Sequence, residues 1–179
     1  KYYNEWQLDK WQLFLDSPMA IAATEVYLKH QNLYDEEAST LINSSNIDYL
    51  YPDLHVSRTA NQSMQLNKIK SGAIILAGSG MCTGGRIRHH LKHNIWRREC
   101  NIIISGFQAR GTLGRMLVDG AGKIRLWGET MNVNAKIHTV GGLSAHADQG
   151  GLMSWYKCFK SDPDLILVHG EKKAIQSLQ

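Results

Sequence analysis

The sequence has 179 residues, 43% hydrophobic and 20% charged with 3 prolines, a globular composition that excludes a disordered tail or a fibre. Lys+Arg 20 against Asp+Glu 16 leaves +4 at pH 7, a mild excess that permits a nucleic-acid partner without identifying one. No run approaches the roughly 18 apolar residues of a membrane-spanning helix, and the opening residues lack a secretory signal's apolar core, so no membrane partner and a cytoplasmic location are expected.

The spacing of apolar residues predicts the elements in order. Trp11 to Leu15 reads as a short strand, stopped by Asp16-Ser17-Pro18. Met19, Ala22, Ala23, Val26 and Tyr27 then recur at helix spacing up to His30, with Asp16 or Ser17 as the cap and Pro18 in the first turn. Residues 31–51 are polar, with short helices around Asp35-Glu36-Glu37. A short strand at 55–58 and a helix at about 60–70 follow. Ala73 to Ala77 is a continuous apolar strand running straight into Gly78-Ser79-Gly80-Met81-Cys82-Thr83-Gly84-Gly85 and a basic helix from Arg86 to about Trp96. Asn101 to Ser105 is another apolar strand. Apolar strands alternating with helices predict an α/β fold with a mostly parallel sheet flanked by helices. After Arg115 the segments 123–127, 132–133 and 136–140 read as shorter antiparallel or mixed strands, followed by a helix at 144–159 and a strand at Leu165 to Val168.

The glycine loop joins a strand to a helix, where backbone N–H groups and the helix dipole favour an anion. A dinucleotide fingerprint would need glycine at position 83, which is threonine. A nucleotide-hydrolase phosphate loop would need Lys and Ser/Thr where Arg86 and Ile87 stand, and Ile87 cannot ligate magnesium. Gly142-Leu143-Ser144-Ala145-His146 fails the Gly-x-Ser-x-Gly pattern at its last position. Two readings survive, a generic phosphate cradle beside a basic helix and a tight turn that packs helix on strand. The run Arg86, Arg88, His89, His90, Lys92, His93, Arg97, Arg98 contains no acid, and reads either as part of that cradle or as a solvated helix face.

Of the 8 histidines, six sit in polar or basic surroundings and are expected at the surface: His30, His55, His89, His90, His93 and His138. His146 lies at a loop-to-helix junction beside Asp148, and His169 directly follows an apolar strand, where ligands collect in open α/β sheets. There a neutral imidazole suits a metal and a protonated one a general acid. No His-x-His pair or His-Glu-x-x-His helix is present, so the chain offers no dense set of hydrolytic metal ligands. The 3 cysteines, Cys82, Cys100 and Cys158, form no Cys-x-x-Cys pair; this fits a reducing compartment, with Cys100 and Cys158 expected as buried thiols.

Read together, these motifs resemble the β-CASP family of metallo-β-lactamase-fold RNA-processing nucleases. The resemblance rests on Leu15-Asp16-Ser17-Pro18-Met19-Ala20, the loop from Gly78 to Arg86, the stretch from Ser105 to Arg115, Ser144-Ala145-His146-Ala147-Asp148, and Val168-His169-Gly170-Glu171, all in the family's order. It implies a Rossmann-like β-CASP domain over 1–115 and, over 116–179, a small α+β segment that returns to a metallo-β-lactamase domain. It implies RNA as substrate, with DNA open, and two zinc ions in the parent protein. Carried across, His146 resembles a catalytic residue near the scissile phosphate, Asp148 a second catalytic residue that orients it, and His169 a zinc ligand. Ser79, Gly80, Thr83, Gly84, Gly85, Arg86, Arg110 and Arg115 would face the phosphate backbone.

The family's principal zinc motif, His-x-His-x-Asp-His with a further His and Asp, is absent. The chain is therefore expected to be a fragment of a zinc-dependent ribonuclease, inactive alone, whose partners are RNA and the missing metallo-β-lactamase half. A homodimer would be another way to cover the surface that half leaves bare. A catalytically inactive scaffold or RNA-binding subunit is the rival reading, and a free-standing nucleotide- or phosphate-binding α/β domain a third.

Overall fold

The computed structural model describes residues 5–44, 54–143, 146–161, 163–168 and 170–178. They form two compact units, Lys1–Gly142 and Leu143–Gln179. In the first, β1 (Gln12–Leu15), β2 (Leu54–Val56) and β3 (Ala73–Leu76) make a parallel sheet in the order β2-β1-β3. Leu15 lies opposite both Val56 and Leu76, so Asp16, Ser57 and the residues after Leu76 emerge together at the carboxyl edge. The crossovers are helical, as parallel strands require: α1 (Pro18–Lys29) and α2 (Glu36–Ser44) between β1 and β2, then α3 (Ala60–Leu66) between β2 and β3. The α/β fold with a parallel sheet and flanking helices is as expected.

Helix starts follow local chemistry. The Ser17 hydroxyl accepts from the Ala20 N–H with Pro18 in the first turn, and Thr59 with Gln62 forms a reciprocal capping box at α3. The apolar face marked out on α1 is not buried, however. Ile21 is covered, whereas Met19, Val26 and Tyr27 stand exposed.

β3 leads through the glycine loop into α4 (Ile87–Asn94), then β4 (Asn101–Ile104) and α5 (Leu113–Val118). β5 (Lys123–Leu126) and β6 (Glu129–Asn132) form an antiparallel hairpin, and β7 (Lys136–Thr139) pairs parallel with β4. The mixed strand character expected here is observed, and the pairing of β7 with β4 carries the first compact unit through to Gly142. The principal core is here: Cys82, Leu91, Ile95, Ile104, Leu117, Ile124 and Leu126 pack together behind α4. Alternation along β5, with Ile124 and Leu126 in and Lys123 and Arg125 out, is the two-residue period of a half-buried strand.

The second unit contains α6 (Gln149–Tyr156) and α7 (Lys172–Leu178), and the described residues between them form no helix or strand. The helix expected from 144 begins at Gln149, where the Asp148 carboxylate caps it by accepting from the Gly151 N–H at 2.8 Å; Ser144 and Ala145 lie outside the described residues. The strand expected at Leu165 to Val168 is absent: these residues are irregular, with Ile166 82% and Val168 73% exposed. An apolar run becomes a strand only when a second strand takes up its backbone groups, and no described residue of this unit does so. Two cysteines expected to be buried are not: Cys100 is half-buried and Cys158 exposed, while Cys82 is the buried thiol. Among the described residues no helix is long and apolar enough to cross a membrane.

Candidate functional site

The carboxyl edge of the parallel sheet is organised by Asp16, whose side chain is fully buried. One oxygen, Oδ1, accepts from Arg86 Nη1 at 2.6 Å; the other, Oδ2, accepts from the Ser63 hydroxyl and from His90 Nε2, each at 2.6 Å. An ionised carboxylate only accepts, so His90 carries its proton on Nε2. Burial alone would push the Asp16 carboxyl up, but the Ser63, His90 and Arg86 hydrogen bonds outweigh it and hold the group below its ordinary value. Arg86 also donates through Nη1 to the Ser57 carbonyl at 2.6 Å and through Nη2 to the Arg58 carbonyl at 3.0 Å. One guanidinium thus ties the ends of β1 and β2 to the start of α4.

The sequence reading puts Arg86 on the phosphate path; the structure turns its guanidinium inward, leaving the side chain 17% exposed. His90, expected at the surface, is buried and belongs to the same network. Arg86 and His90 are one helical turn apart and share a face of α4, while Ile87 and Leu91 address the core. Asp16 was legible as a helix cap and as part of the Leu15 to Ala20 stretch but not as a buried carboxylate, and Ser57 and Ser63 carried no signal, because partners separated by 29 to 74 positions leave no local pattern.

The glycine loop stands above this network in a fixed shape. The Ser79 hydroxyl accepts from the Gly84 N–H at 3.1 Å, and Gly78 accepts from the Ile87 N–H at 3.0 Å. Gly85 has φ +68, and a Cβ there would run into the Gly78 carbonyl, so this position requires glycine twice over. From the other side, Gln108 Nε2 donates to the Gly80 and Gly106 carbonyls at 3.0 and 3.1 Å. The Gly114 N–H donates to the Met81 carbonyl at 3.0 Å, and a Cβ on Gly114 would strike the Gln108 amide. Gln108, missed in the sequence reading, is the clamp between the loop and the β4–α5 connection.

Ser79 and Gly84 are half-buried and Gly80, Thr83 and Gly85 exposed, so one surface of the loop faces solvent. Arg110 is exposed, while Arg115 is half-buried and pairs with Asp119 at 2.9 Å, one turn on. His146 and Asp148 are exposed in the second compact unit, and the Asp148 Oδ1 atom is engaged in capping α6. His169 lies outside the described residues. Among the described residues no group of three or more His, Cys, Asp or Glu side chains could hold a metal ion. They fall short of the three protein ligands of a hydrolytic zinc site.

A glycine loop at the carboxyl edge of a parallel sheet, held by its own hydrogen bonds and by Gln108 and leading into a helix whose first turns join a buried Asp–Arg–His–Ser network, defines an α/β domain suited to anion recognition. The Beta-Casp domain family matches residues 1–117, and the Zn-dependent metallo-hydrolase RNA specificity domain matches residues 130–179. Similar proteins include Ribonuclease TTHA0252 of Thermus thermophilus, 32% identical over 177 residues covering 99% of this chain and 40% of the relative. Transcription termination factor FttA of Thermococcus kodakarensis is 39% identical over 120 residues, 63% of this chain and 18% of the relative. An RNase J-like protein of Methanocaldococcus jannaschii is 29% identical over 152 residues, 85% of this chain and 34% of the relative. The chain belongs to the β-CASP family of metallo-β-lactamase-fold proteins, and it spans well under half the length of these curated relatives.

Proposed function

We propose that this chain is the RNA-holding part of a zinc-dependent ribonuclease, with a β-CASP domain over 1–115 and a return segment of the nuclease domain over 116–179. The observation that carries the reading is the preformed glycine loop on the Asp16–Arg86–His90 network. The Ser79, Cys82, Gly84 and Ile87 N–H groups are spent on holding the loop's shape, so its exposed surface at Gly80, Thr83 and Gly85 is arranged before any ligand arrives and little ordering cost opposes phosphate binding. Ser79, Gly80, Thr83, Gly84 and Gly85 line the backbone of the strand, with Arg110 and Arg115 adding charge. Arg86 is a positioning residue beneath them. His146 acts near the scissile phosphate, and its neighbour Asp148 holds the start of α6. His169 is a zinc ligand in the parent protein, where the remaining donors come from residues outside this chain.

The description of the matching C-terminal family as a zinc-dependent RNA specificity domain and the ribonuclease name of the Thermus relative support this reading. The test is zinc content and RNA cleavage by the gene's full-length product, run beside this chain. The expected result is about two zincs and cleavage for the full-length product, with RNA binding but no cleavage for this chain. Cleavage and stoichiometric zinc in this chain alone would overturn the assignment of ligands. A zinc-free, inert full-length product that still binds RNA would favour the scaffold reading instead.

A further inference from the structure

The basic helix α4 does not present a single face. Arg86 and His90 turn inward, whereas Arg88, His89 and Lys92 gather around Trp127, which sits at the tip of the β5–β6 hairpin. The Arg88 guanidinium lies 4.6 Å from the Trp127 ring centroid, the Lys92 ammonium 5.9 Å, and the His89 ring is 4.7 Å away and tilted by 33°. Arg125, on the outward face of β5, donates to the Gly128 carbonyl at the same tip. The patch contains one ion pair, Lys92 to Glu129 at 2.7 Å. Arg88 and Arg125 are left as surplus positive charge around an aromatic ring that remains 47% exposed.

Trp127 is an unexpected occupant of its position. Leu126 pairs with Glu129, so Trp127 and Gly128 alone make the turn, and both have positive φ, 46° and 85°. Two-residue turns of this kind favour Asn-Gly or Asp-Gly, and a bulky side chain in the left-handed region is disfavoured. Asparagine would make the better turn. What tryptophan adds is a large flat surface, held beside cations at the protein's exterior.

We propose that Trp127, with Arg88, His89, Lys92 and Arg125, forms a stacking platform for an unpaired nucleotide of single-stranded RNA, its flanking phosphates meeting the cations. Aromatic rings bordered by Arg and Lys are how proteins hold single strands without reading sequence, since every base offers a π-face. The inference rests on the RNA reading above and deepens it by naming a contact surface separate from the glycine loop.

The test is fluorescence anisotropy with a fluorescein-labelled oligouridylate, measured on the protein and its variants across a salt series, with melting temperatures alongside. Trp127→Ala is expected to weaken binding about tenfold, whereas Trp127→Phe retains most of it. Arg88→Gln is expected to lower the steepness of log K against log salt by about 0.7, the single-strand value for one phosphate. Trp127→Asn is the discriminating variant: it suits the turn, so it is expected to melt a few degrees higher while binding as weakly as Trp127→Ala. Wild-type binding that Trp127→Ala leaves unchanged would overturn the platform and spare the RNA reading. Absence of wild-type binding would overturn both. If Trp127→Asn melts lower and binding falls only as stability falls, Trp127 is a structural prop and the inference fails. Displacement of the RNA by polyglutamate at equal charge concentration would make the patch a simple charge attractor and would also overturn it.

Discussion

Arg86 and Asp16 stand 70 positions apart in the chain and meet at 2.6 Å, the guanidinium at the start of α4 against a fully buried carboxylate at the end of β1. A buried pair of this kind stabilises only when its remaining donors and acceptors are satisfied. Here Ser63 and His90 occupy the second carboxylate oxygen, and the Ser57 and Arg58 carbonyls take up the guanidinium. Removing one partner is therefore costly. Asp16→Asn leaves Arg86 without its counter-charge and is expected to lower stability by about 3–5 kcal/mol, read from urea denaturation. Arg86→Lys keeps the charge but cannot span three acceptors with one planar fork. It is expected to destabilise too, while leaving the salt dependence of RNA binding unchanged, because the side chain points away from the loop's outer surface.

The same carboxylate predicts a pH dependence. Its folded value lies below the ordinary 3.8 because the hydrogen bonds of Ser63, His90 and Arg86 overcome burial. A group depressed on folding contributes stability that is full above the unfolded value and is lost as pH falls through the folded one. Denaturation midpoints should therefore fall as pH drops below about 4. This slope should be shallower in Asp16→Asn. An identical acid profile in the two proteins would show that Asp16 is not held ionised by these partners.

Gly114 gives a test of the clamp on the loop. A methyl group there collides with the Gln108 side chain, which must then release the Gly80 and Gly106 carbonyls. Overpacking of this kind costs about 1–3 kcal/mol, and Gly114→Ala is expected to lose RNA affinity along with that stability. Gln108→Ala in the same background frees the space. It should recover stability without recovering affinity, because the loop remains unclamped. Recovery of both would mean that Gln108 plays no part in shaping the loop.

The second compact unit exposes Leu143, Leu152, Trp155, Phe159, Leu165, Ile166 and Val168, a concentration of apolar side chains that usually marks a surface covered by a partner. Ile166→Lys is expected to change the chain's stability by less than about 0.5 kcal/mol, the range for substitutions at unpacked surface positions, while reducing binding of an apolar dye. A loss of several kcal/mol would show that Ile166 is packed in solution.

How much of this the sequence revealed depended on how local each feature is. β1, β3 and β4 were readable as continuous apolar runs. The Ser17-Pro18 start of α1 was readable as a cap, and the glycine loop by its place between strand and helix. All of these are set within a few residues. The network beneath the loop was not readable, because Asp16, Ser63, Arg86 and His90 come from three separate elements. His90 was hidden in a basic run whose charge suggested solvent. Leu165 to Val168 shows the opposite failure: the apolar run was correctly seen, but strand formation depends on a pairing partner that local pattern does not encode. Trp127 drew no notice because its importance lies in the three-dimensional approach of a hairpin tip to α4.

On the function proposed above, the glycine loop is already shaped before RNA arrives and holds the strand's phosphates. The most direct measurement is RNA affinity across a salt series for the wild-type chain and for Gly85→Ala, whose Cβ must displace the Gly78 carbonyl, with folding checked by circular dichroism. Wild-type binding is expected to weaken steeply with salt, and a folded Gly85→Ala to lose about tenfold or more in affinity with a shallower slope, since each lost phosphate contact removes about 0.7 from it. A folded Gly85→Ala that binds RNA with wild-type affinity and slope would contradict the proposed function.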